Sequence, residues 1–193
     1  MDEQADEGLG RGRLEAISDG IMAVAITLLA LDIHAPTRAP GQSLLQALDG
    51  QTLGAIGLFA LSFFLIARYW LVHHRLFSGL PPTVSTRFVV LNFCFLAAIC
   101  LVPFATTTYS DNTDDMTALV VYTAVLAAAS VLLTLMFRES GAPRDRRGIV
   151  IPLALLSAIP LGLLLGPQNA PIAWAALLVL DGLIAGRRPH RAG

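Results

Sequence analysis

Asp19 is the residue whose position most needs explaining. It follows Ser18 inside an apolar run, 14–33, made largely of Leu, Ile, Val, Ala and Met. A carboxylate in hydrocarbon is costly, so it faces protein or water and accepts hydrogen bonds or pairs with Arg or His. The chemistry available to a Ser-Asp pair at that depth is of three kinds: a structural lock, direct ion binding, or proton relay. For a lock, the candidate partners are Arg13, Trp70, His73 and Asn92. Trp70 and His73 stand at one end of the second apolar run, and Asn92 lies about one turn into the third. His73-His74 is not a metal motif, because adjacent residues on a helix do not face one site. His74 is expected at the headgroups.

The other half of the first run carries a different pattern. At about 100° per residue, Gly20, Leu28, Leu31 and Ala35 fall within about 40° of the Val24 direction. Thr27 lies about 60° to one side, and Ser18 and Asp19 point to the far half. The run thus has an aliphatic stripe of Val24, Leu28 and Leu31 bordered by one hydroxyl. Such a stripe is either ordinary packing or the lining of a narrow passage. Thr27 either bonds back to its own helix or offers its oxygen to that passage.

The elements that position these residues follow from composition. The chain has 193 residues, 55% hydrophobic and 14% charged, with a mean hydropathy of +0.66. A soluble domain carries about 25% charged residues. The shortfall argues against a cytosolic enzyme, a nucleic-acid binder and a disordered linker. Cys94 and Cys100 lie in one apolar run and form neither a disulfide framework nor a metal motif. Six apolar runs occur at 14–33, 53–72, 88–106, 116–137, 149–165 and 171–186. Each is near the roughly 20 residues that cross a bilayer as a helix. Period-two alternation is absent, which disfavours a β-barrel. The reading is an all-α membrane protein of six transmembrane helices. Residues 1–13 and 187–193 form tails around one membrane domain, 14–186. The acidic N-terminus is not expected to be a signal peptide. A short interfacial helix is expected within 43–48.

Six spans put both tails on one side. That side receives twelve of the thirteen arginines, and the other receives only Arg38. The bias assigns both termini to the cytoplasm. The outer side holds Asp32, Asp49, Asp111, Asp114 and Asp115, and Asp32 would stand at an outer mouth. An acidic mouth concentrates cations.

Arg13, Ile17-Ser18-Asp19 and Ile26-Thr27-Leu28-Leu29-x-Leu31 resemble the first-helix motif of prokaryotic relatives of the lysosomal potassium channel, transmembrane protein 175. Trp70-x-x-His73, Phe77, Asn92 and Pro103-Phe104 also resemble family positions. The resemblance covers roughly the first 110 residues and departs at Ile17, where the family usually has Phe. It implies a homotetramer whose four first helices line a central pore. It implies aliphatic rings at Val24, Leu28 and Leu31, a potassium-preferring hydroxyl ring at Thr27, and a Ser18-Asp19 pair that holds the pore helix against its neighbours. The implied partners are the lipid bilayer and monovalent cations, with potassium permeant. The implied location is a bacterial inner membrane, and no cofactor, metal or nucleic acid is expected.

No Thr-Val-Gly-Tyr-Gly filter is present, so selectivity by stacked carbonyls is not expected. The expectation is a potassium-permeable cation channel that performs no chemistry on a substrate. Two rival classes stay open. One is a proton-coupled or proton-conducting transporter, for which internal repeats and discontinuous helices would speak. The other is a non-conducting scaffold.

Overall fold

The computed structural model describes residues 10–141 and 158–169. Every regular element among them is helical, apart from one isolated bridge between Gly10 and Thr83. The order is α1 (Arg11–Leu28), a 3-10 turn (Leu29–Asp32), α2 (Leu44–Ala47), α3 (Gly50–Ser78), α4 (Thr86–Cys100), α5 (Val102–Asp111), α6 (Met116–Glu139), α7 (Ala158–Leu165) and a second 3-10 turn (Pro167–Asn169).

Among the described residues, four stretches are long and apolar enough to cross a membrane: Arg11–Leu31, Gly50–Ser78, Thr86–Asp111 and Met116–Glu139. They correspond to the first four apolar runs. The fifth run is described only in its second half, as α7. The sixth run, and the C-terminal tail, lie outside the described residues.

The helices outreach the apolar runs because polar residues cap them. Asp49 accepts the Thr52 N–H at 2.8 Å and starts α3. That bond holds its carboxyl below the usual carboxylate range. Ser85 caps α4 through the Phe88 N–H, and Asp115 caps α6 through the Thr117 N–H. The expected interfacial helix is the single turn α2, closed by a reciprocal pairing of Ser43 and Gln46. Gly141 ends α6 with φ 65°, a left-handed conformation that a side chain disfavours.

The third span is interrupted at one residue. Leu101 separates α4 from α5, and Pro103 follows in the first turn of α5. Proline has no N–H to give to the preceding turn, which accounts for the break. The Leu101 N–H still reaches Ala97 and Ala98, and the Ala105 N–H reaches Leu101. Helical hydrogen bonding therefore resumes on both sides of the break.

One side of the bundle is tied by polar contacts between ends. The Arg11 N–H donates to Pro82 and its guanidinium to Leu80, which joins the start of α1 to the α3–α4 loop. Ser85 donates to Glu139, and Arg87 pairs with Glu139 at 3.4 Å, which joins α4 to the end of α6. The four spans therefore alternate in direction.

The core is shared by α1, α3, α4, α5 and α6, with α4 and α5 packed along α6 and α1 and α3 closing its other side. It contains hydroxyls as well as aliphatic groups. Ser62 lies 2.9 Å from the Tyr122 hydroxyl and 3.0 Å from that of Thr106. Tyr69 donates to the Leu126 carbonyl and lies 2.7 Å from Ser130 Oγ. Tyr69→Phe is expected to cost about 1 kcal/mol, the size of an interhelical hydrogen bond in a membrane protein. Thermal unfolding in detergent measures it, and an unchanged midpoint would make these hydroxyls incidental to stability.

Candidate functional site

α1 buries one line and exposes another. Leu14, Ser18, Met22, Ala25 and Leu29 are buried, three or four residues apart, against α3, α4 and α5. The opposite line is open: Val24 is 56% exposed, Leu28 41% and Leu31 72%, whereas Leu29 is 2% exposed. Gly20 and Thr27 are exposed beside them. The aliphatic stripe is therefore not used in packing within one chain.

Thr27 donates its hydroxyl proton to the Val24 carbonyl at 2.8 Å. This is the back-bond that the residue type allows. It leaves the oxygen lone pairs unoccupied on the exposed side, and a cation binds lone pairs, not protons. The two readings of Thr27 are compatible in this geometry. Asp32 closes the 3-10 turn that ends the first span, and its side chain is outside the described part.

The buried line carries the polar contacts. Ser18 donates to Leu14 at 2.7 Å and accepts from Asn92 Nδ2 at 3.0 Å. Asn92 Oδ1 lies 2.8 Å from His73 Nε2. The Asn oxygen can only accept, so His73 carries its proton on Nε2. Ser18, Asn92 and His73 are all fully buried. The imidazole is stacked on Phe77 at 4.3 Å and on Phe95 at 5.4 Å between ring centres. One continuous chain of bonds thus joins α1, α4 and α3.

Asp19 stands outside that chain. Its Oδ1 accepts the Trp70 indole N–H at 2.8 Å. Trp70 stacks on His74, which pairs with Glu15 at 3.4 Å. The single network expected around Asp19 is two: a buried one through Ser18 and a half-exposed one through Asp19. Arg13 joins neither. It is exposed, and its side chain makes no hydrogen bond or ion pair with the described residues. The reason is helical phase: six residues before Asp19, it points about 120° away from it. His74 is tied to Glu15 as well as being half-exposed.

Sequence reasoning missed the hydroxyl cluster of Ser62, Tyr69, Thr106, Tyr122 and Ser130. A signal was there. Ser62 and Tyr69 are seven residues apart on α3, and Tyr122 and Ser130 eight apart on α6, so each pair shares a face. No group of three or more His, Cys, Asp or Glu able to hold a metal occurs among the described residues.

Comparison with known proteins bears on this arrangement. A family model described as endosomal/lysosomal potassium channel TMEM175 matches residues 13–103, the stretch holding α1, both networks and the α4–α5 break. A potassium channel of Chamaesiphon minutus is 31% identical over 147 residues, 74% of this chain and 71% of that one. The chain belongs to the TMEM175 family. A potassium channel of Streptomyces collinus is 34% identical over 127 residues, 66% of this chain, and the match spans 61% of that relative's length. The crystal structure of a lysosomal potassium-selective channel TMEM175 homolog from Chamaesiphon minutus superposes with a TM-score of 0.75 at 26% identity. That superposition covers 89% of this chain and 97% of that one. A chicken TMEM175, named an endosomal/lysosomal proton channel, is 41% identical over 108 residues, 21% of its own length. TMEM175 relatives with these names are ion channels rather than enzymes.

Proposed function

We propose that this TMEM175 member is a potassium-permeable cation channel, assembled from four copies with α1 around the axis. The observation that carries the reading is the exposed line Val24, Leu28 and Leu31, which one chain leaves uncovered while burying the opposite line of the same helix. Four copies would turn this line into three aliphatic rings, each about 6 Å of rise from the next, the first pair along α1 and the second across the 3-10 turn. The rings form the constriction, since a cation cannot shed its hydration shell against methyl groups. Thr27 supplies a hydroxyl oxygen at the same level, and Asp32 stands at the outer mouth. The buried Ser18–Asn92–His73 chain and the Asp19–Trp70 bond hold α1 against α3 and α4 at the inner end. Both termini face the cytoplasm of a bacterial inner membrane, in keeping with the arginines at the Arg11, Arg87 and Arg138 ends of the spans. The relatives named potassium channels support the permeant ion.

A second reading, proton conduction, is favoured by the chicken relative's name. Liposomes holding the purified protein separate the two. A potassium gradient should drive potassium flux with no ionophore present. Flux of protons alone would move the second reading ahead, and a monomer without flux would leave a scaffold.

Thr27→Ala tests the hydroxyl. Conduction is expected to persist while the preference for potassium over sodium falls, because a methyl group cannot replace a hydration water. Bi-ionic reversal potentials measure this. An unchanged preference would leave Thr27 only its bond to Val24.

A further inference from the structure

We infer that Arg13 forms a ring of positive charge at the inner mouth of the pore and limits cation entry from the cytoplasmic side. The inference rests on the proposed pore. It begins from the phase of α1. Taking Val24 as zero, Ile17 falls about 20° to one side and Arg13 about 20° to the other. The structure exposes this side: Arg13, Ile17, Gly20, Val24, Leu28 and Leu31 make one open line from the first turn of α1 into the 3-10 turn that follows it.

Arg13 is the one charged residue on that line. The other charges of α1 point elsewhere and are occupied: Arg11 bonds Leu80, Glu15 pairs with His74, and Asp19 accepts from Trp70. The Arg13 side chain has no such partner among the described residues. Whatever turns Val24 to the axis turns Arg13 to it as well, about 16 Å further in. Four guanidinium groups around an aqueous mouth lower the local cation concentration, through an effect that falls off over a Debye length. The outer side holds acidic residues with Arg38 as its one arginine, so the charge is asymmetric across the pore. Cations leaving the cytoplasm meet the ring before the constriction, at a mouth it depletes of cations, whereas those entering meet it only after the constriction. The ring therefore makes conduction rectify and ties it to cytoplasmic ionic strength.

The test uses the full chain, acidic residues 2–7 included, in excised patches with the cytoplasmic face in the bath. Arg13→Gln should raise outward potassium current about threefold at roughly 0.02 M salt and leave it nearly unchanged at about 1 M, where the Debye length is about 3 Å. Arg13→Glu should raise it further, Arg13→Lys should match the wild type, and Arg11→Gln should have no salt-dependent effect. The unmodified channel carries a check of its own. At fixed potassium, adding an impermeant salt to the bath should increase outward current by screening the ring. An unchanged or falling current on that addition would overturn the ring. So would Arg13→Gln matching the wild type at low salt while Leu28→Ala still changes flux, and the pore would survive that result. Absence of current from the wild type and every variant would overturn the pore and the ring together.

Discussion

Leu28→Ala or Leu28→Asn is expected to raise potassium flux in liposomes roughly tenfold, the change that about 1.4 kcal/mol off a barrier produces. Leu28 is 41% exposed on the open line of α1, so shortening it creates no cavity within the chain. It would widen and wet the ring that four copies form. Asn wets the ring with little loss of volume, so its effect separates wetting from widening. Selectivity should weaken in both. The neighbouring residue supplies the control. Leu29 is 2% exposed and opens the 3-10 turn that continues α1, packing on the far side. Leu29→Ala should cost about 2–5 kcal/mol of stability through the cavity it leaves. Flux per assembled channel should stay near wild type. If the two positions behave alike, with neither changing flux, the open line of α1 does not face a pore and the scaffold reading moves ahead.

That contrast was legible in the sequence, since periodicity alone separates position 28 from position 29. What periodicity could not supply was which side of the helix its own chain covers. An aliphatic stripe reads the same whether it is packed or open. The structure decides it through Leu14, Ser18, Met22, Ala25 and Leu29, which take the contacts with α3, α4 and α5. Span number was legible as far as the described residues test it, because hydrocarbon thickness fixes the length of an apolar run. The ends were less so. α3 runs from Gly50 to Ser78, well past the apolar run 53–72 at its C-terminal end, because helical hydrogen bonding continues through polar His73, His74 and Arg75 to Gly79. The break at Leu101 has a visible cause in Pro103, yet a proline marks a kink or an unwound segment equally well until the surrounding carbonyls are accounted for. Arg13 shows the remaining gap. Charge complementarity pairs it with Asp19, whereas the helix phase sets the two about 120° apart. The hydroxyl cluster was missed for a related reason: Ser62 and Tyr122 carry no charge, so nothing in an apolar run forces them to find partners.

Asn92→Ala is expected to be the most damaging single change at the inner end. Asn92 is the middle of the buried chain, donating to Ser18 Oγ at 3.0 Å and lying 2.8 Å from His73 Nε2 through its oxygen. Truncation leaves the His73 N–H without an acceptor and Ser18 without a donor, both in fully buried positions. An orphaned buried donor costs about 1–3 kcal/mol, and the lost amide leaves a cavity besides. A total of about 3 kcal/mol follows, read as thermal unfolding and as loss of the assembled form in detergent. Trp70→Phe removes one bond to Asp19 at a half-exposed position and should cost less. The design that identifies the cause is a pair. Asn92→Leu alone strands the His73 N–H, and His73→Phe added to it removes the stranded group. The imidazole already lies between Phe77 and Phe95, so a phenyl ring suits its place. The double variant should therefore be more stable than Asn92→Leu alone, because replacing both partners of a hydrogen bond by apolar groups is nearly neutral. If the second change lowers stability further, the three residues act separately. If Asn92→Ala leaves stability intact and alters ion preference, the buried chain reaches the conducting path, and its role is not to hold α1 in place.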